Sequence, residues 1–153
     1  MKKMNYYLAM LLMITLPVLF TSCEKNLSDD APFEKLIVGE WNCTRMDWDS
    51  EINGEKEVGS SYDDGDWIWK FNEDGELSFP WYNKPDNVTY EEDIYQYQVE
   101  GDKLYSEYAM EAHMAQYFTI ESLTTDKMVL KLEYNYQHLN ESGVYTFNFK
   151  RIK

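Results

Sequence analysis

Two sets of side chains in this 153-residue chain stand at spacings that chemistry could use. Met110, His113 and Met114 lie three and four residues apart, the spacing that puts side chains on one helix face. Thioether and imidazole together suit a soft metal such as Cu(I). The chain has only two histidines, His113 and His138, and they fall on different elements, so the ligand count is short of a closed site. The same spacing fits a lid helix that lays its methionines on an apolar mouth. The second set, Asp47, Asp49, Glu51 and Asn53, alternates like the start of a calcium loop. Ile52 and Val58 then occupy the positions where such a loop needs glycine and a late glutamate, so the acids read as solvated. Asp63-Asp64-Gly65-Asp66 reads as an acidic turn. Cys43 has no histidine near it in sequence, and its expected face is an interior where a thiol is inert. No glycine-rich phosphate loop and no nucleophile elbow occurs. The sequence therefore predicts no catalytic residue, no resident metal and no cofactor.

Cys23 is the other cysteine, and its setting gives it a different chemistry. Lys2 and Lys3 precede Tyr6–Phe20, fifteen residues without charge. A membrane span needs about 20 apolar residues, so this run is short for one and fits a secretory signal. Leu19-Phe20-Thr21-Ser22-Cys23 resembles the lipobox of bacterial lipoproteins, with Phe20 bulkier than the usual residue. That resemblance implies a diacylglyceryl group on the Cys23 sulfur, cleavage before it, and a new acylated N-terminus. Each buried methylene adds about 0.8 kcal/mol, so two or three chains hold a domain where one would not. Residues 1–22 are then a lipoprotein signal peptide. The mature chain meets the membrane through lipid on Cys23 and is expected at the cell envelope, anchored to the outer membrane. With Cys23 lipidated, Cys43 has no disulfide partner within the chain.

Residues 23–34 are polar and acidic and read as a flexible tether. Acids soon after a lipidated cysteine are similar to the surface-export signal of lipoproteins from Bacteroidota. A periplasmic and a surface-exposed face both fit. Cleavage removes Lys2 and Lys3 but no acid, taking the formal charge from −14 to −16. Such a domain repels nucleic acid and anionic membrane surfaces.

From residue 35 onward the apolar residues alternate, as they do in strands with one buried face. Trp41, Cys43 and Arg45 share a face; Asp47–Ser61 reads as a polar loop holding an Asn53-Gly54 turn. Trp67, Trp69 and Phe71 share a face, as do Leu77, Phe79 and Trp81. Tyr95, Tyr97 and Val99 follow, then Leu104 and Tyr105. Residues 106–116 are rich in helix formers and predict a short helix. Tyr117–Leu123, Met128–Tyr134 and Tyr145–Arg151 complete the series. The expected fold is all-β: eight antiparallel strands in an up-and-down barrel, with the helix between strands five and six. Closure removes the exposed edges of such a meander.

The order Gly39-Glu40-Trp41, Phe71-Asn72-Glu73-Asp74-Gly75, Tyr97–Leu104, Ile120-Glu121-Ser122-Leu123 and Phe147–Arg151 resembles the lipocalin-like domain lipoproteins of Bacteroidota over residues 35–153. The resemblance implies a lipocalin-like barrel with an apolar cavity. It also implies a structural closure in which Arg151 packs across Trp41 beside Gly39. A guanidinium over an indole contributes about 0.5–2 kcal/mol. Seven rings, Trp67, Trp69, Trp81, Tyr95, Tyr97, Tyr145 and Phe147, are then candidates to contact a small apolar ligand. The competing expectation is that large rings fill the interior of so narrow a barrel. The protein would then act as an interaction module, meeting an envelope protein partner through an aromatic patch near Trp48, Tyr62 or Tyr82. Both readings are non-enzymatic.

Overall fold

The computed structural model describes residues 28–62, 67–79 and 93–152. Expectations for the signal peptide, Cys23, Trp81, Tyr82 and the Asp63–Asp66 turn lie outside those residues. The chain folds as one closed antiparallel barrel. A short helix α1 (Phe33–Leu36) leads into β1 (Gly39–Ile52), β2 (Glu55–Tyr62), β3 (Ile68–Phe71), β4 (Glu76–Ser78), β5 (Ile94–Glu100) and β6 (Lys103–Ser106). Helix α2 (Glu107–His113) follows, then β7 (Tyr117–Leu123), β8 (Lys127–Tyr136), a 3-10 turn at Gln137–Leu139, and β9 (Glu141–Arg151). Each strand from β3 to β9 pairs with the next, and β9 returns to pair with β1 from Trp41↔Arg151 to Ile52↔Glu141. On its other edge β1 meets β3 through Gly39–Asn42 and β2 through Arg45–Ile52. β2 and β3 thus share one strand position, which makes this the eight-stranded barrel the alternation predicts. The helix falls between the fifth and sixth positions, also as expected.

Three local features depart from the expected pattern. Residues 47–61 are a hairpin rather than a loop. Asn53 and Gly54, both at positive φ (53° and 85°), turn β1 directly into β2. The alternating acids of this stretch are one face of a strand: Asp49 pairs with Lys56 at 3.0 Å and Asp47 with Arg45 at 2.6 Å. Next, the β1–β9 register jumps between Cys43↔Phe149 and Arg45↔Asn148, leaving Thr44 as an extra residue. A bulge reverses the parity of everything after it. Trp41 and Cys43 are fully buried, whereas Arg45 turns outward over the Tyr62 ring, 5.2 Å from its centroid. Finally, the polar stretch expected over 23–34 is attached along its described part. The Asp29 carboxylate accepts the Thr125 amide at 2.7 Å, and α1 follows at once. Four residues have no helical stability of their own. Leu36 and Ile37 are fully buried, and each such side chain contributes about 1.5–3 kcal/mol, so burial holds α1 in place.

The core runs the length of the barrel. Leu77, Leu104, Phe118, Met128, Leu130, Leu132 and Phe147 are all essentially solvent-free. The two ends differ. At one, α1 and residues 36–38 sit beneath the strands and Trp41 donates its Nε1 proton to the Ile37 carbonyl at 2.7 Å. At the other, the strands give way to α2 and to the projecting β1–β2 hairpin.

Candidate functional site

The α1 end is a lock. Arg151 lies over Trp41 with 4.1 Å from guanidinium to ring centroid. Its Nε donates to the Thr125 carbonyl at 2.5 Å, Nη1 to Val38 at 2.7 Å and Nη2 to Leu36. Burial pulls the Arg151 pKa down from its ordinary value, and three carbonyl dipoles surround the charge. Gly39 enters β1 at φ 139°, a conformation open to glycine alone. All three guanidinium nitrogens thus donate to main-chain carbonyls.

The α2 end is built from rings. Trp69 is fully buried at the centre. Phe79, Tyr108, Phe118, Phe147 and Phe149 surround it at centroid distances of 5.0–5.7 Å, most of them edge-on. Trp69, Phe118 and Phe147 are the floor. Above them a half-buried collar follows: Trp67, Phe79, Tyr95, Tyr108 and Tyr145. Phe79 meets Tyr108 at 4.7 Å and Tyr95 at 5.9 Å; Trp67 meets Phe147 at 5.9 Å. Tyr145 stacks on Tyr134 at 4.8 Å, and the Tyr134 hydroxyl donates to Glu141.

Helix α2 covers this collar. Ser106 caps it by accepting the Tyr108 amide, and Met114 ends it in a left-handed conformation, with Ala115 N–H closing back onto the Ala109 carbonyl. Glu107 accepts the Gln96 amide of β5, and the Tyr136 hydroxyl donates to the Ala112 carbonyl at 3.4 Å. The face turned to the barrel carries Tyr108, Ala109 and His113. Met110 and Met114 are 53% and 63% exposed, so the methionines do not lie on the mouth. The Met110–His113–Met114 trio therefore does not converge on a metal position. Among the described residues no group of three His, Cys, Asp or Glu side chains could hold a metal ion.

Burial raises the Tyr108 hydroxyl to about 12, and burial lowers the pKa of His113. The Tyr95 hydroxyl is raised as well, first by burial and then by Asp93 and Glu111. All these groups are neutral near pH 7. His113 packs against Tyr108 at 5.4 Å and Tyr145 at 5.6 Å. Among the described residues the carboxylates drawn below their ordinary range are Asp29, by the Thr125 amide, and Asp47, by Arg45. Both are on the outside of the barrel, so the described interior holds no carboxylate primed for acid–base work.

The structure sorts the seven ring candidates. Trp69 and Phe147 are floor; Trp67, Tyr95 and Tyr145 are collar. Tyr97 stands apart. It packs on Phe71 at 5.1 Å and donates its hydroxyl to the Asn72 carbonyl in the β3–β4 turn, toward the locked end. Trp81 lies outside the described residues. Alternation missed three contributors. Tyr108 and His113 come from a helix whose inward face the sequence assigned to methionines. Trp48 is on the inner face beyond the Thr44 bulge, paired with Tyr145 on one side and Gly59 on the other. A Cβ at Gly59 would lie 2.2 Å from the Trp48 ring, so the indole lies flat on the glycine. An expected outer patch at Trp48 is thus an inner one. Tyr62 is 69% exposed on the outer face.

Clefts of about 730, 520 and 400 Å³ open among the described residues. The largest lies at the foot of α2, between Ala115, Tyr117, Tyr134 and Gly143. None of the three is lined by Trp69 or Phe147, around which rings fill the space.

A family model described as a lipocalin-like domain matches residues 37–130. No curated protein matches the chain. Among solved structures, a deswapped triple mutant of bovine odorant-binding protein is similar over 76% of this chain and 74% of its own, at 14% identity and a TM-score of 0.42. A protein of unknown function from the DUF3598 family of Nostoc punctiforme is similar over 78% of this chain and 49% of its own, at 9% identity and a TM-score of 0.36. Neither likeness is strong enough to bear on function.

Proposed function

The chain belongs to the lipocalin-like domain family, and from that premise we propose that it is a non-enzymatic binding protein which takes a small, mostly apolar ligand under helix α2. The observation that carries the reading is the asymmetry of the barrel. One end is locked by Arg151 over Trp41 and closed by Leu36 and Ile37, both fully buried. The other presents half-buried rings beneath a seven-residue helix held by few hydrogen bonds. Barrels of this size admit one small ligand at most. With rings filling the floor, the ligand lies in the collar, between Tyr108 or His113 and Trp67 or Tyr145, and α2 shifts to admit it. The family is one of binding proteins in general, which favours this over catalysis.

The anchor is part of the same proposal. Residues 1–22 act as a lipoprotein signal, Cys23 carries the lipid, and the stretch to residue 34 spaces the barrel from the outer membrane of a bacterial envelope, in keeping with the resemblance to Bacteroidota lipoproteins. Metabolic labelling with an alkyne fatty acid tests it: label on the full chain and none on Cys23→Ala is expected, and equal label on both refutes the anchor.

Ligand binding is tested with a polarity-sensitive naphthylamine probe added to the full chain in nanodiscs. Saturable one-to-one fluorescence, weakened by Ala109→Trp beneath α2, is expected. A signal no larger than that of empty nanodiscs refutes it. A second reading, an interaction module, rests on the projecting hairpin, where Val58 and Tyr62 are 70% and 69% exposed. Loss of a co-purifying envelope protein on Val58→Asp with Tyr62→Asp, with probe binding intact, would favour that reading.

A further inference from the structure

Most polar tips in the barrel interior are spoken for. Trp41 Nε1 bonds to Ile37, the Tyr97 hydroxyl to Asn72, the Tyr134 hydroxyl to Glu141, and the Arg151 guanidinium to three carbonyls. Two at the α2 end are not. Trp69 Nε1 and His113 Nε2 are both buried with no hydrogen-bond partner, and Trp69 is fully buried as a residue. They flank the same two rings. Each of their rings is 5.4 Å from Tyr108, and they lie 5.7 and 6.5 Å from Phe147. A buried donor or acceptor left unpaired bears its full desolvation penalty, so two that adjoin the same pair of rings point to a missing partner.

The charge of the surroundings narrows what that partner is. The ionised groups nearest the collar are acidic: Asp93 and Glu111 act on Tyr95, and Glu141 acts on Tyr136. Among the described residues no lysine or arginine faces inward at this end; Arg45 turns outward and Arg151 belongs to the lock. The chain as a whole carries −14. A carboxylate buried here would lack a counter-ion. An ammonium would set its own N–H groups against that of Trp69. A hydroxyl or amide meets Trp69 N–H as an acceptor and suits neutral His113 in either tautomer, whereas a bare carbonyl suits only the tautomer with the proton on Nε2.

Resting on the ligand-binding reading above, we propose that the ligand is an uncharged amphiphile whose single hydrogen-bonding group is received by Trp69 Nε1 and His113 Nε2. Four water-soluble fluorinated probes of one shape test this by 19F NMR with the full chain in nanodiscs, empty nanodiscs serving as blank. They are 2-(4-fluorophenyl)ethanol, 4-fluorophenylacetate, 2-(4-fluorophenyl)ethylammonium and 1-ethyl-4-fluorobenzene. The alcohol binds best, about fivefold tighter than the hydrocarbon, the worth of one hydrogen bond, and at least about tenfold tighter than the acid or amine. His113→Phe removes the alcohol's advantage, read as the ratio of alcohol to hydrocarbon affinity within the same folded variant, with circular dichroism checking the fold. Equal binding of alcohol and hydrocarbon overturns the headgroup proposal while ligand binding stands. Tightest binding by the acid or the amine overturns it as well. Binding of none of the four overturns both.

Discussion

Replacing Arg151 with methionine keeps most of the side chain's length and removes its fork and its charge. The loss is calculable. Three hydrogen bonds from a charged donor disappear, to Leu36, Val38 and Thr125. Each such bond contributes about 1.5–3 kcal/mol net, and the low end applies because the guanidinium is itself partly desolvated. The contact with Trp41 adds about 1 kcal/mol. Some of this returns as water reaches the freed carbonyls, which leaves a destabilisation of about 4 kcal/mol for Arg151→Met. A domain of this size is stable by about 5–15 kcal/mol, so the change removes a large fraction and lowers Tm by about 15 °C. Arg151→Lys restores about 1 kcal/mol, because a point charge serves one carbonyl and cannot span three. Urea unfolding of the full chain, followed by tryptophan fluorescence, gives these numbers. Hydrogen exchange should show residues 33–38 opening before the barrel in the methionine variant. A loss below about 1 kcal/mol, or complete rescue by lysine, would refute the assignment of Arg151 as the clamp on this end.

Gly59→Val should displace the Trp48 indole, since even a Cβ there meets the ring at 2.2 Å. With 5-fluorotryptophan, one of the five 19F resonances moves, and stability changes by less than about 1 kcal/mol because valine suits a strand; an unmoved spectrum contradicts the packing. His113 predicts a pH dependence whose sign is fixed by burial. Its folded pKa lies below the unfolded 6.5, so the unfolded chain binds the extra proton first, and stability falls as pH drops through about 6.5. Between pH 7.5 and 5 the wild type should lose stability relative to His113→Phe, by at most about 1.4 kcal/mol per pH unit; parallel curves would refute it. Cys43 is fully buried, so in a Cys23→Ser chain a thiol reagent should react only as fast as the barrel unfolds. Reaction within seconds under native conditions would show the interior to be open.

Alternation and turn residues made the barrel legible, since the strands from β3 to β9 largely keep their apolar period; β7 breaks it once, at the register shift between Ile120 and Ser122, where burial steps from Ile120 to Leu123. The same rule failed at Thr44 for a definite reason. A bulge costs one residue of register and leaves no compositional mark, so Arg45 was placed inside and Trp48 outside, each the reverse of its position. The hairpin at 47–61 was hidden because β2 is exposed on nearly every residue and shows no apolar period at all. In α2 the helix itself was legible, but seven residues give too few turns to fix a face. The buried face went to tyrosine, alanine and histidine, with Met110 and Met114 outside. The locked end could be inferred because one glycine, one tryptophan and one arginine suffice for it. The collar could not, because its five members come from five separate segments.

The seam between β1 and β9 has a kinetic consequence. It joins residues about a hundred positions apart and carries eleven register pairs, among them Trp41↔Arg151. Every other neighbour pair in the barrel is closer in sequence. Closing so long a loop is entropically slow, and its reward arrives only when both strands already exist. Until then β1 and β9 each present an unpaired edge, the state in which a β protein is most open to pairing with another chain. Folding of this molecule is therefore governed by when β9 finds β1, and a chain stalled before that point is one sticky on two sides.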